Sequence, residues 1–328
     1  MSVWFQNIVI LGGFGLLALA AGAYARTERW KRAAVRLRKD RVGLASAFLL
    51  AIYIGFGLGD SIQVARNESL LDRVFKNIPR ERGYSAPLST KTFSIANPVP
   101  LKGRHLLGTD LLGKDVLVQT LKGCRTTLII GGLTSLIYIP VGAILGIVAG
   151  FYRRRVDDAI QYLYSTVASI PGILLLIAIL MITGQGLHWM AIALSVTAWV
   201  GMCRLVRGET LRQASRPYVE AARALGQKKW RIVIAHILPN VMHLIVINFV
   251  LGFSGLALAE AILSYLGVGA PIGTASWGIM IDSGRMELSR EPVVWWNLAA
   301  ATCALFFLVL SLNLLGDSLR RAFDPKAV

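Results

Sequence analysis

The chain is 328 residues long, 55% hydrophobic and only 16% charged, with a mean hydropathy of +0.59. That is too apolar for one soluble core and makes the membrane the natural solvent. A net charge of +17 would suit a nucleic-acid partner, yet neither aromatic stacking residues nor a nucleic-acid module accompanies the basic residues.

In chain order, stretches without Asp, Glu, Lys or Arg occupy 3–25, 42–59, 126–152, 159–203, 232–259 and 292–316. Each reaches the ~18 to 20 residues needed to cross ~30 Å of hydrocarbon. The run 159–203 is long enough for two helices, with Thr183-Gly184-Gln185-Gly186 placed for a tight turn, so seven spans are expected. Backbone groups inside lipid must be satisfied within their own segment, so the runs are helices and the fold class is all-α, polytopic.

The basic residues fix the expected orientation. Of 35 Lys and Arg, eight lie within 26–41, three at 153–155, eight within 204–231 and three from Arg320 onward. With the amino terminus outside, all four segments and the carboxyl terminus face the cytoplasm, as the positive-inside bias requires. No Lys or Arg precedes the first apolar run and a basic cluster follows it, which are the flanks of a retained, reversed anchor rather than a cleaved signal.

The expected organisation is an amino-terminal helix with a basic linker (1–41), a first core helix with an extracytoplasmic segment (42–125), and a transmembrane core (126–328). Pro79, Pro87, Pro98 and Pro100 argue against long helices in the outer segment before about His105. A second outer segment, 267–291, is rich in Gly and carries Pro271. Cys124, Cys203 and Cys303 have no metal-like spacing, and His105, His188, His236 and His243 are scattered, so packing explains the cysteines better than a disulfide framework or a metal centre.

Two motifs suggest other chemistry and fail on their partners. Gly108-Thr109-Asp110-Leu111-Leu112-Gly113-Lys114-Asp115 nearly spells a phosphate loop, but Asp115 replaces the metal-binding hydroxyl, two carboxylates would repel phosphate, and the segment faces outward. Gly252-Phe253-Ser254-Gly255 resembles the serine motif of rhomboid-type intramembrane proteases, yet no histidine follows it to act as base. Small residues packing helix on helix account for it better.

The longest cytoplasmic loop, 204–238, carries the most specific signal. Pro217 suits a first helical turn, Ala221, Ala222, Ala224 and Leu225 favour helix, and Gly226 suits the left-handed position just past a helix end. The pattern predicts a surface helix of about nine residues, ~14 Å long, then a second helix over 227–237 returning to Pro239, where the next span opens. Glu220 and Arg223, three apart, can pair with each other or face a partner. On the residues alone, a docking helix and a solvated interfacial helix are both open.

Glu220-Ala221-Ala222, three residues, Gly226, nine residues and His236-Ile237-Leu238-Pro239 together resemble the E-A-A-x3-G-x9-I-x-L-P loop of bacterial ABC importer permeases, with His236 where the pattern has Ile. His105-Leu106-Leu107-Gly108-Thr109-Asp110 with Gly113-Lys114-Asp115-Val116-Leu117 is similar to the H-P-L-G-T-D-x-x-G-R-D-V-L signature of the C-type permease in the dipeptide, oligopeptide and nickel branch. Leu263-Ser264-Tyr265-Leu266-Gly267, Ser276-Trp277-Gly278 and Asn313-Leu314-Leu315-Gly316-Asp317 resemble later signatures of that branch. The resemblance covers about 32–325, which leaves the first helix as an addition to a six-helix core.

This resemblance implies a bacterial inner-membrane protein working with a second, homologous permease, two cytoplasmic ATPase subunits and an extracytoplasmic solute-binding protein. ATP and magnesium would sit on the ATPases, leaving no cofactor or catalytic site in this chain. Pro217, Tyr218, Glu220, Ala221, Ala222, Arg223, Gly226, Leu238 and Pro239 would form the element that couples it to an ATPase. The implied substrate is a short peptide, with nickel or another small solute as the alternative. A secondary transporter or channel is the competing class, where intramembrane charge marks ion sites. Only Glu260 lies near an apolar stretch, toward the outer end of its span, where it can instead hydrogen-bond a neighbouring helix.

Overall fold

The computed structural model describes residues 28–65, 68–93, 98–271 and 273–323; the expected span at 3–25 lies outside them. Helix α1 (Glu28–Lys39) leads into α2 (Arg41–Ser61) through Asp40, whose carboxylate accepts the Val42 and Gly43 amides. Hydrogen bonds from Ser318, Arg321 and the Gly43 amide hold that carboxyl down at about 2. The outer segment then forms a short antiparallel pair, β1 (Gln63–Ala65) with β2 (Glu68–Ser69), and a five-residue helix, α3 (Leu70–Val74), closed by a capping box between Ser69 and Asp72. As the prolines require, the described residues contain no further helix before α4 (Val116–Tyr152).

The remaining helices are α5 (Arg154–Ala168), α6 (Gly172–Thr183), α7 (Leu187–Ala214), α8 (Pro217–Ala224), α9 (Lys229–Ile232), α10 (Leu238–Tyr265), α11 (Trp277–Glu287) and α12 (Trp296–Phe323). Helices α2, α4, α7, the continuous 229–265 and α12 are each long and apolar enough to cross a membrane, and the pair α5 and α6 adds a sixth if counted as one bent span.

One expectation about the spans needs correction. The run 159–203 holds parts of three helices rather than two, because α5 and α6 are bent by 81° at a break over 169–171. Pro171 has no amide to continue α5 and disfavours helical backbone at Ile170. The expected turn at Gly184 is present at φ +86°. The second outer segment contains α11, whose first turn is capped by Ser276 through the Gly278 amide.

The chain divides into two compact units. One comprises the residues up to Ile129 together with those from Ala257. In it, Trp277 is fully buried and donates from Nε1 to the Thr120 carbonyl at 2.8 Å, while Tyr53 donates to the Ala304 carbonyl at 2.8 Å. Glu260, 0% exposed, accepts hydrogen bonds from Ser276 (2.7 Å), Ser264 (3.0 Å) and Thr127 (3.4 Å). The outer segment is locked by His105, also 0% exposed, with Nδ1 2.8 Å from Asp115 and Nε2 3.3 Å from Glu81.

The second unit is Ile130–Leu256. Its seam is a glycine ladder: Gly142, Gly146 and Gly150 on α4 face Trp199, Cys203 and Arg207 on α7, and a Cβ on any of the three would lie 2.7–2.8 Å from a backbone carbonyl. Small residues four apart let two helices approach to backbone contact, the usual device where lipid offers no hydrophobic driving force.

Candidate functional site

Helix α8 spans Pro217–Ala224, eight residues and so one shorter than expected, with Pro217 at its first position. It buries only Val219 (0% exposed) and Ala222 (5%). Pro217, Tyr218, Glu220, Ala221, Arg223, Ala224 and Leu225 are exposed, Leu225 at 81%.

The helix ends as its glycine dictates. Gly226 sits at φ +73°, its amide bonds the Arg223 carbonyl at 3.0 Å, and the Gln227 amide bonds Ala222 at 3.1 Å. This is a Schellman closure, in which a left-handed residue lets two amides satisfy carbonyls of the last turn.

The helix is anchored from both sides. Arg223 lies over the Phe151 ring and Lys229 over Tyr152, 5.2 and 5.7 Å from the centroids, joining the loop to the end of α4. The Tyr218 hydroxyl donates to Gln213 at 2.7 Å and accepts from Asn240 at 3.2 Å, while Asn240 also donates to the His236 carbonyl at 2.6 Å. His236, at the position where a hydrophobic seat is expected, is half-buried 6.1 Å from the Tyr218 ring; Ile232 and Ile237, both 0% exposed, fill the seat instead.

Pro239 does not open a new span. The chain runs helically from Lys229 to Tyr265, and a π-turn over Val233–Ile237 absorbs the proline. The Leu238 amide reaches back five residues to Val233, so the register shifts just before the residue that has no amide to offer. Leu238 is half-buried and Pro239 exposed.

Sequence reasoning therefore found the exposed surface and its two ends but missed Gln213, Asn240, Phe151 and Tyr152, which lie in neighbouring helices and carry no local signal. Around α8 the exposed charges are Arg216, Arg223, Lys228, Lys229 and Arg231 against Glu220, a basic rim around a small apolar ridge. Deeper in, Arg207 holds Asp157 through Nε and Nη2, the latter at 2.7 Å.

The other two motifs are structural. In the phosphate-loop look-alike, the Lys114 amide bonds the Asp110 carboxylate at 2.8 Å, Gly113 bonds the Asp110 carbonyl and Val116 bonds Gly108, so these amides are already engaged. Burial pushes the Asp110 carboxyl up. Ser254 donates to the Leu251 carbonyl at 2.7 Å. Gly252 lies against the Tyr138 hydroxyl and Ser254 is buried, whereas nothing lies within 4 Å of a Cβ on Gly255, so the packing explanation fails for Gly255.

The chain is thus a polytopic helical membrane protein that presents a short exposed helix between two of its spans. A family model for the binding-protein-dependent transport system inner membrane component matches residues 142–328, and the chain belongs to that family. It is 31% identical over 297 residues to the oligopeptide transport system permease protein OppC of Bacillus subtilis strain 168, covering 90% of each. It is 36% identical over 228 residues to the dipeptide transport system permease protein DppC of the same organism, covering 70% of this chain and 71% of the relative. The fold is similar to that of a chain in an inward-facing structure of the MetNI methionine ABC transporter, with a TM-score of 0.50 and 22% identity over 64% of this chain and 96% of that one.

Proposed function

We propose that this chain is a permease subunit of an ATP-driven importer of short peptides, and that α8 is the element through which a cytoplasmic ATPase drives it. The peptide substrate rests on the names of its relatives, oligopeptide and dipeptide permeases that align over most of both chains. The observation that carries the coupling role is the shape of α8: two residues buried, the rest outward, both ends fixed by α4 and α10 side chains. A helix held this way transmits displacement to the spans on either side of it.

In this reading the amino terminus is outside and the basic loops and carboxyl terminus are cytoplasmic. A second permease completes the pathway, a solute-binding protein delivers peptide from outside, and ATP with magnesium stays on two ATPase subunits. The ATPase contributes differential binding energy to two permease states, and α8 is where it biases them. The test is reconstitution of the complex in proteoliposomes with its binding protein. Uptake of a labelled dipeptide that requires ATP is expected; uptake driven by an ion gradient without ATP would overturn the reading.

A further inference from the structure

The transport reading leaves unused a basic cleft between α1 and the carboxyl-terminal end of α12. On an ideal helix Trp30, Ala33, Leu37 and the following Asp40 fall in one row, and these are the buried or half-buried positions among residues 30–40. Trp30 meets Phe323 edge-on with ring centroids 4.8 Å apart. The adjoining row, Arg32, Arg36 and Lys39, repeats at spacings of four and three and so runs along a single flank.

That flank borders a cleft of about 310 Å³ lined by Arg36, Leu37, Lys39 and Asp40 from one side and Ser318 and Arg321 from the other. Three cationic side chains and one carboxylate meet there, and Arg321 already holds that carboxylate at 3.0 Å. The position is equally informative. Helix α2, which begins at Arg41 directly after the cleft, and α12, which ends two residues beyond Arg321, are both apolar and long enough to cross a membrane. The cleft therefore lies at the boundary between hydrocarbon and water, the level of the lipid phosphates, with Trp30 and Phe323 at the depth aromatic residues prefer.

We propose that this cleft is a binding site for the headgroup phosphate of an anionic phospholipid, held by Arg36, Lys39 and Arg321. The lipid's acyl chains lie along the apolar surface of α2 and α12, and its phosphate ties the basic row of α1 to the membrane plane.

The test counts lipids bound to the purified full-length chain by native mass spectrometry after titration with phosphatidylglycerol or phosphatidylcholine. Phosphatidylglycerol is expected to bind about thirtyfold more tightly, the scale of two net juxtamembrane charges at about 1 kcal/mol each. Replacing Arg36→Gln with Lys39→Gln removes that preference, while Lys31→Gln with Arg38→Gln, on the opposite flank of α1, keeps most of it. Inorganic phosphate does not displace the lipid, because it lacks the acyl chains. Should the first double variant melt early, Lys39→Gln alone, outside the packed row, shows a smaller loss in the same direction. The proposal is overturned by equal binding of the two lipids, by equal loss from the two double variants, or by complete displacement with free phosphate.

Discussion

Replacing Gly226 isolates the closure of α8 from everything else in the loop. A Cβ built there meets no atom within 4 Å, so the Cβ itself has open space and the cost of adding it comes from the φ of +73°. Left-handed backbone costs an L-residue roughly 1–2 kcal/mol, least for Asn, more for Ala and most for a β-branched Val. Abandoning that conformation instead releases the bonds from Gly226 to Arg223 and from Gln227 to Ala222, each worth about 1 kcal/mol. Either route weakens the closed end of α8 by a factor of roughly 5–30. In the reconstituted complex, with membrane levels matched, uptake and stimulated ATP hydrolysis should fall together in the order Gly, Asn, Ala, Val. Parental rates in Gly226→Val, or equal loss in all three variants, would refute the reasoning.

Three further outcomes follow from the packing. Gly146→Ala should lower the melting temperature in detergent, since its Cβ would lie 2.7 Å from the Cys203 carbonyl, whereas Gly132→Ala on the same helix, with open space around it, should be neutral or stabilising by up to ~1 kcal/mol. Glu260→Leu, leaving three buried hydroxyls without their acceptor, should destabilise by about 2–3 kcal/mol in the same assay and Glu260→Gln by less. Burial pushes the Asp72 carboxyl up, but hydrogen bonds from Lys122 and Ser69 outweigh it and the net shift is downward. A lowered carboxyl stabilises the fold above its ordinary value of 3.8 and loses that contribution as pH falls through the lowered one. The protection factors of the Leu70–Val74 amides, corrected for the slower intrinsic exchange at low pH, should therefore fall on acidification below about pH 4, and Lys122→Met should flatten the dependence.

The spans were legible because lipid leaves an apolar run no alternative to helix, and α8 because proline and glycine mark its two ends. The break over 169–171 was also written in the sequence, at Pro171, but it is hidden inside a run whose lack of charge reads as continuous. The same applies to Gly142, Gly146 and Gly150: their spacing of four is visible, but only the opposing carbonyls of α7 make it a seam. Pro239 misled because a proline ahead of an apolar run reads as a start, while a π-turn allows the helix to pass through it. The lock of His105 between Glu81 and Asp115, and the bridge from Tyr218 to Asn240, join residues far apart in sequence. No periodicity announces such pairs.

The central claim is that the outward face of α8 docks on an ATPase. In a variant with Cys124, Cys203 and Cys303 replaced, single cysteines at Ala221, on the outward face, and at Ala222, 5% exposed beneath it, sample two sides of the same turn. Oxidative cross-linking in membranes to an ATPase carrying surface cysteines should trap Ala221→Cys and spare Ala222→Cys, with the Ala221 adduct lost on removal of the ATPase. Absence of any adduct at Ala221, with both subunits present at normal level, or equal trapping at the two positions, would contradict the account.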